Sequence, residues 1–248
     1  MKIIFHSKFK DVYASDPAAK AGRMEAILKE LEGKYDFVEP EPATQQDLKR
    51  VHSQRHIDSI RKNPHLYEIA CLSAGGAILA SELAMKGQPS FALIRPPGHH
   101  ASYDSSWGFC FFNNIAVALA KLKAENKIKK ALILDIDLHF GDGTANIFAG
   151  TEIRYFHPEA DKSEEFIELI ESVLQKEIYD VLAVSAGFDR GVEDWGGQLS
   201  SEDYFTIGRL IKQSAEKICQ GRRFAVLEGG YNHKVLGKNV KAFIDGLS

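Results

Sequence analysis

The stretch ALILDIDLHFGDGT, residues 131–144, decides the fold class and also indicates where the chemistry lies. Its first four residues are apolar, which is typical of a strand buried on both faces. The rest of the stretch carries Asp135, Asp137, His139 and Asp142. Carboxylates at the end of a buried strand cost free energy unless a metal ion, an ion pair or water compensates them. The stretch therefore predicts a buried strand that ends in a polar cluster.

Other apolar runs alternate along the chain with amphipathic segments. The runs lie at residues 2–6, 35–40, 91–97, 153–157, 181–187 and 224–230. Helical patterns lie at residues 21–33, 73–87, 113–126, 163–177 and 201–219. Strands that alternate with helices predict crossover connections and a mainly parallel sheet with helices on both faces. We therefore expect an α/β fold with three layers (α/β/α) and one domain spanning residues 1–248.

The composition argues against nucleic-acid and membrane partners. The net charge of −3 gives no basic surface for nucleic acid. The longest apolar runs are well short of the ~20 residues that a membrane-spanning helix needs, and the N-terminal run is too short for a signal peptide. Three widely spaced cysteines without a CxxC motif indicate free thiols in a reducing compartment, which we expect to be the cytoplasm. The oligomeric state is left open.

Four of the predicted strands end in polar residues or glycine. These ends read RPPGHH (95–100), DIDLHFGDG (135–143), SAGFDRGVED (185–194) and LEGGYN (227–232). Ligands of open α/β sheets bind outside the carboxyl ends of the strands. The four ends together predict an active site at that edge of the sheet.

Within these ends, Asp137 and His139 lie on one side of their strand because side chains alternate. Both could therefore reach one metal ion. Either Asp189 or Asp194 would complete a three-ligand site with an open position for water, the arrangement that catalytic zinc sites need. Each of these acids could instead be a helix cap or a solvated loop residue.

A histidine pair and a tyrosine offer the rest of a catalytic site. His99 and His100 follow Pro-Pro-Gly, and imidazole is the group best suited to proton transfer near neutral pH. Tyr231 follows two glycines and could donate a hydrogen bond to a developing oxyanion. The alternatives are a surface histidine pair and a turn tyrosine.

Seven segments in this order resemble the histone deacetylase and acetylpolyamine amidohydrolase superfamily, most closely the branch with class II deacetylases and bacterial amidohydrolases. They are GRMEAIL (22–28), VHSQRHID (51–58), RPPGHHA (95–101), WGFCFFNNIAVA (107–118), DIDLHFGDGT (135–144), SAGFD with the following ED (185–194) and LEGGY (227–231). The resemblance implies the arginase/deacetylase type of three-layer fold. It also implies a zinc-dependent amidohydrolase that removes an acetyl or related acyl group from an N-acylated amine, such as acetyl-lysine or an acetylpolyamine.

The resemblance also assigns roles to individual residues. The metal ligands would be Asp137, His139 and Asp194, the last of which precedes Trp195 where the family usually has proline. His99 and His100 would handle protons, with Asp135 and Asp142 as their respective partners. Tyr231 would be the catalytic tyrosine.

Substrate contacts are implied in the same way for Gly108, Phe109, Arg23 and Gly229. Phe109 would form one wall of the substrate tunnel, and Arg23 would lie beneath the metal site. We expect Trp107 to lie in the core.

The implied cofactors are a catalytic ion and a structural ion. The catalytic ion is Zn²⁺, although an Asp and His donor set also accepts Fe²⁺. The structural ion is K⁺ near Asp135 and Asp137. After His157 the chain lacks a long family loop, which predicts a more open rim.

Two alternatives remain at this level. The first is a protein on the same fold that binds acylated amines without turnover. The second is a dimanganese ureohydrolase, which would need a second D-x-H-x-D cluster that the sequence does not offer.

Overall fold

All seven apolar runs form strands in the computed structural model, which describes residues 1–248. The strands are β1 (Lys2–Ile4), β2 (Asp36–Val38), β3 (Ser90–Ala92), β4 (Ala131–Asp135), β5 (Ile153–Phe156), β6 (Val181–Ala186) and β7 (Arg223–Leu227). They form one sheet in the order β2-β1-β3-β7-β6-β4-β5, and every neighbouring pair is parallel. The prediction of a parallel sheet is confirmed.

Helices cover both faces of this sheet. They are α1 (Arg23–Leu31), α2 (Gln45–Leu48), α3 (Gln54–Arg61), α4 (Pro64–Met85), α5 (Asn114–Ala124), α6 (Asp142–Phe148), α7 (Ser163–Lys176), α8 (Ser201–Cys219) and α9 (His233–Leu247). Helices α4 and α5 pack together on one face, whereas α8 packs on the other face with α7 and α9, and α1 packs on α9. The three-layer prediction is confirmed, and one cluster of 69 buried apolar residues joins the layers.

Helix α4 has the length and apolar composition of a membrane span, but it is a core helix here. Its most apolar window is 72% buried inside the protein. A Cβ atom at Gly75 would lie 1.9 Å from the carbonyl oxygen of Glu41, and one at Gly76 would lie 2.6 Å from Ile94. The glycine pair thus lets α4 approach the sheet and a neighbouring segment closely.

The strand order brings the four polar strand ends together. These ends follow β3, β7, β6 and β4, which are consecutive neighbours in the middle of the sheet. Since the strands are parallel, their carboxyl ends meet at one edge. The topology therefore collects the candidate residues in one place.

Glycines at the contact between α8 and α9 generate a stability prediction. A Cβ atom at Gly246 would lie 2.1 Å from the carbonyl oxygen of Phe205, which is backbone and cannot move aside. We expect Gly246→Ala to lower the free energy of unfolding by about 1–2 kcal/mol, because overpacking outweighs the better helix propensity of alanine. Urea denaturation measures this change.

The matched control is Lys238→Ala on the exposed face of α9. This variant should change the free energy of unfolding by no more than about 0.5 kcal/mol. Equal stability of Gly246→Ala and the wild type would contradict the close contact.

Candidate active site

Three side chains form a cluster at the centre of this edge. The ligand atoms of Asp137, His139 and Asp189 all lie within 4.8 Å of one another. Nδ1 of His139 lies 3.2 Å from Asp137 Oδ1 and 3.1 Å from Asp189 Oδ2. Both carboxylates are buried, whereas the imidazole is partly exposed. The cluster is thus open to solvent only on the histidine side.

Three backbone N–H groups from two strand ends, those of β4 and β7, hold the two carboxylates. Asp137 accepts hydrogen bonds from the N–H groups of His139 at 3.0 Å and Gly229 at 2.8 Å. Asp189 accepts one from the N–H of Leu138 at 3.0 Å. A Cβ atom at Gly229 would lie 2.6 Å from Asp137 Oδ2 and 2.7 Å from Asp189 Oδ2. Glycine at this position leaves the room that both acids occupy.

The cluster fits a divalent metal ion. Oδ2 of Asp189 is buried, and its ion-pair partner, Nδ1 of His139, lies 3.1 Å away without the geometry of a regular hydrogen bond. Burial and the charge of Asp137 raise the pKa of Asp189, while pairing with the carboxylates of Asp137 and Asp189 raises the pKa of His139 to about 10. Adjacent buried carboxylates with a spare oxygen need a compensating charge. Two carboxylates and one imidazole are a donor set that suits zinc or iron.

Asp194, which the resemblance implies as the third metal ligand, is not among the three residues that the structure brings together in this cluster. Its Oδ2 accepts hydrogen bonds from the N–H groups of Tyr231 at 2.8 Å and Asn232 at 2.7 Å, and its Oδ1 accepts one from Trp195 at 2.9 Å. Oδ2 therefore holds the backbone at Tyr231, whereas Oδ1 binds the backbone of its own loop. Asp189 lies beside His139 instead, because it follows the end of β6 by only three residues.

The structure brings each histidine of the pair to the acid implied for it. His99 Nδ1 lies 3.0 Å from Asp135 Oδ2, and His100 Nδ1 lies 2.7 Å from Asp142 Oδ1. The two imidazole centroids are 4.1 Å apart. Because each Nδ1 faces a carboxylate, Nε2 is the nitrogen left free for chemistry on each ring.

The two histidines have opposite electrostatic environments. Burial would lower the pKa of His99, but Asp137 and Asp135 outweigh it, so that the pKa is raised well above 6.5. Burial, and then the charge on His99, lower the pKa of His100, and the hydrogen bond to Asp142 only partly opposes this. Adjacent groups whose pKa values are pushed apart are typical of acid–base sites. His100 is therefore the neutral member of the pair at physiological pH.

Trp107 is exposed rather than in the core, so that prediction was wrong. Its side chain is 57% exposed, and its ring stacks on His100 with centroids 3.9 Å apart. Its Nε1–H donates to Asp142 Oδ2 at 2.9 Å. Asp142 therefore binds the imidazole and the indole together. Nothing in the sequence around Trp107 indicated that its ring would contact His100 and Asp142.

A narrow pocket of about 120 Å³ leads to the histidine pair and to His139 of the carboxylate–histidine cluster. It is lined by Pro97, His99, His100, Trp107, Gly108, Phe109, His139, Trp195, Gly229 and Tyr231. The aromatic rings of Phe109 and Trp195 contact Tyr231, with centroids at 5.9 and 4.1 Å. A larger groove of about 880 Å³, lined in part by Phe140 and His157, contains none of these residues.

Gly108 and Arg23 determine the shape of this pocket, Gly108 from within its lining and Arg23 through the backbone before Tyr231. Gly108 has φ +59°, and a Cβ atom there would lie 2.4 Å from the His100 ring. The buried Arg23 donates from Nε to the carbonyl oxygen of Gly230 at 2.8 Å and from Nη2 to that of Glu228 at 2.6 Å. Its guanidinium lies 5.7 Å from the Tyr231 ring centroid. Arg23 thus fixes the segment that carries Tyr231.

Glu228 is a buried acid in the site that was not singled out in the sequence. It accepts hydrogen bonds from the N–H groups of Gly98 at 2.7 Å and His99 at 3.3 Å, and burial raises its pKa to about 7. With His99 and Cys110 it forms a second group of possible metal ligands. This group has a single carboxylate whose oxygens already accept hydrogen bonds, so it does not supply the second metal site of a ureohydrolase.

The sequence matches the histone deacetylase domain over residues 17–157 and 150–247. The chain belongs to the histone deacetylase and acetylpolyamine amidohydrolase superfamily. It is 31% identical over 303 aligned residues to a probable deacetylase of Methanothermobacter thermautotrophicus, covering 99% of this chain and 90% of the relative. It is 27% identical to a histone deacetylase-like amidohydrolase of Pseudomonas aeruginosa, covering 95% of this chain and 77% of the relative.

A solved structure has the same fold. The crystal structure of the HDA15 HD domain superposes with a TM-score of 0.85 at 24% identity, covering 100% of this chain and 90% of that chain. This similarity establishes the arginase/deacetylase type of three-layer fold for this chain.

The positions of Asp189 and Asp194 generate a prediction about metal binding. Asp189→Asn should weaken zinc binding by more than about 100-fold, since loss of a ligand should exceed the 10–100-fold effect of outer partners. Asp194→Asn should change the zinc affinity by less than about tenfold, because its oxygens contact only backbone N–H groups. Competition with a chromogenic chelator measures both affinities. A larger loss in Asp194→Asn would restore Asp194 as the ligand.

Proposed function

We propose that the protein is a metal-dependent amidohydrolase that removes an acetyl or related small acyl group from an N-acylated amine. The observation that carries this proposal is the open cluster of Asp137, His139 and Asp189 beside a histidine pair of opposite pKa shifts. Tyr231 lines the same pocket. Zinc is the proposed ion, held by the three residues of the cluster. When bound, it supplies Lewis acidity that polarises an amide carbonyl and lowers the pKa of water.

His100 is the proposed proton carrier. Its Nδ1 faces Asp142 at 2.7 Å, so Nε2 is the free acceptor on a neutral ring. Nε2 takes a proton from the attacking water and then gives it to the leaving amine. An amine is a poor leaving group unless it is protonated, so this return is as important as the first transfer.

His99 and Tyr231 stabilise the negative charge that develops during the reaction and do not carry the transferred proton. The raised pKa of His99 keeps that imidazole cationic beside Asp135, and its charge stabilises negative charge that develops in the pocket. Burial raises the pKa of Tyr231, so the phenol stays protonated and donates to the developing oxyanion. The backbone of Tyr231 is held by Asp194, which fixes the direction of that donor.

The proposed substrate is an acyl group on a slim alkyl amine, either a lysine side chain or a small molecule such as a polyamine. A pocket of about 120 Å³ accommodates a short acyl group and a methylene chain but not a bulky ring system. In this proposal Phe109 forms one wall of the substrate pocket and Trp195, from the loop after β6, forms another; both side chains line the pocket. The three free cysteines are buried, which supports the cytoplasm as the compartment.

The proposal is tested by hydrolysis of a panel of acylated amines by zinc-loaded protein. The panel contains an acetyl-lysine peptide, acetylputrescine, acetylspermidine and longer acyl-lysines. We expect turnover of at least one acetyl substrate. Tyr231→Phe should lose about 10²–10³ in kcat through loss of the oxyanion donor, and His100→Ala should lose turnover at least as severely.

The matched control is Tyr103→Phe, which removes a hydroxyl from a tyrosine that is 60% exposed. It should leave kcat unchanged. Absence of turnover across the panel, with one zinc bound per chain, would move the assignment to a protein that binds acylated amines without hydrolysis.

A separate prediction concerns the pH dependence. The Asp142 hydrogen bond raises the pKa of His100 against the opposing effect of burial. Asp142→Asn removes the carboxylate, so the pKa of His100 falls further and the ring stays neutral to lower pH. The acidic limb of the kcat/KM profile should therefore move to lower pH, together with a fall in the maximum. Trp107→Phe keeps the carboxylate and should move the limb less. A shift of the Asp142→Asn limb to higher pH would contradict His100 as the base.

A further inference from the structure

Arg190 is a buried cation without a counter-ion beneath the metal cluster. It directly follows Asp189 and is 6% exposed, yet no carboxylate lies within 4.0 Å of its guanidinium. Its donors reach carbonyl and amide oxygens and the ring of His157, whose Nε2 lies 3.1 Å from Nη2. Nε donates to the carbonyl oxygen of Asp137 at 2.9 Å, and Nη1 donates to Gln198 Oε1 at 3.0 Å. A buried charge is costly unless its environment compensates it, so this one calls for a physical reason.

The contacts of Arg190 fill the place where the sequence predicts a structural K⁺. The carbonyl oxygen of Asp137 would be one ligand of that ion, but it lies 2.9 Å from Arg190 Nε and also 2.9 Å from His157 Nε2. Nη2 of Arg190 extends the contact to the carbonyl oxygens of Leu138 and Pro158, both at 3.4 Å. Two nitrogens therefore cover the Asp137 oxygen that a cation would need.

Both side-chain oxygens of Asp135, the other expected ligand, also have hydrogen-bond partners already. Its Oδ2 accepts the hydroxyl of Tyr155 at 2.9 Å and lies 3.0 Å from His99 Nδ1. Its Oδ1 accepts the N–H of Asp137 at 3.1 Å. The tyrosine hydroxyl is itself held by the N–H of Gly141 at 2.7 Å. The residues present do not fit a monovalent cation at this position.

We propose that Arg190 is a positioning residue whose guanidinium takes the place of a bound K⁺ and holds the Asp137–His139 turn for the catalytic metal. This inference rests on the proposed metal centre. A guanidinium fixed by the chain supplies the positive charge at all salt concentrations, and it repels a second cation from the same carbonyl oxygens. Arg190 orients Asp137 through the backbone, because it binds the carbonyl oxygen of that residue and not its carboxylate.

The inference is tested by zinc affinity, measured by chelator competition in KCl and in tetramethylammonium chloride at equal ionic strength. The wild type should bind zinc equally well, within about twofold, in the two salts. Arg190→Met should bind zinc about 10–100-fold more weakly in tetramethylammonium chloride, the range found for residues that support metal ligands. Addition of K⁺ or of millimolar guanidinium should restore most of this loss, because either cation can enter the space left by the side chain.

Two further variants separate this role from packing. Arg154→Met removes an exposed arginine on β5 that pairs with Glu177, and it should change the zinc affinity in neither salt. Arg190→Lys keeps the charge with one donor group, so its loss should be smaller than that of Arg190→Met, and it remains informative where the methionine variant fails to fold.

Three results would overturn the inference. They are K⁺-dependent zinc binding by the wild type, unchanged affinity in Arg190→Met, and a loss that neither cation restores. The readout needs no substrate. Failure of the proposed hydrolysis would therefore leave this test intact, and failure of this test would leave the hydrolase assignment standing.

Discussion

The proximity of two buried carboxylates, Asp137 and Asp189, is the constraint on which the rest of the site depends. Their mutual repulsion and burial raise the pKa of Asp189, so the arrangement persists only because the fold compensates it. Backbone N–H groups of Gly229 and Leu138 bind the oxygens, and Arg190 places a cation behind the strand end. Oδ2 of Asp189 faces only the imidazole of His139, at 3.1 Å, and accepts no regular hydrogen bond. The divalent ion of the proposed function would complete the charge balance there.

The same negative charges divide the work between the two histidines. His99 lies against Asp135 and near Asp137, so it stays protonated. Burial and then the positive charge of His99 lower the pKa of His100, one residue further on, which favours its neutral form. Neighbouring residues in sequence thus acquire different roles because Coulomb interactions in a buried site change steeply over a few ångströms. The asymmetry comes from position rather than from residue type.

The inner strands of the sheet could be predicted from the sequence, because strands buried on both faces are mostly apolar, whereas the edge strands β2 and β5 are partly exposed. Helix α9 was missed, although the spacing of Leu236, Val240, Phe243 and Leu247 carries the helical period that identifies it. The choice between Asp189 and Asp194 could not be made from residue types, since either carboxylate suits a metal. It depends on which loop residue still points into the edge of the sheet after β6 ends. That is a property of the backbone path.

The aromatic mouth links substrate binding to catalysis. Trp107 lines the pocket and also donates to Asp142, which orients His100. Trp195 lines the opposite part of the pocket and follows Asp194, whose carboxylate holds the N–H of Tyr231. Under the proposed function, a substrate that moves either indole would also move a catalytic group. Selectivity in such a site is expected in kcat as much as in KM, because the groups that recognise the chain also position the base and the oxyanion donor.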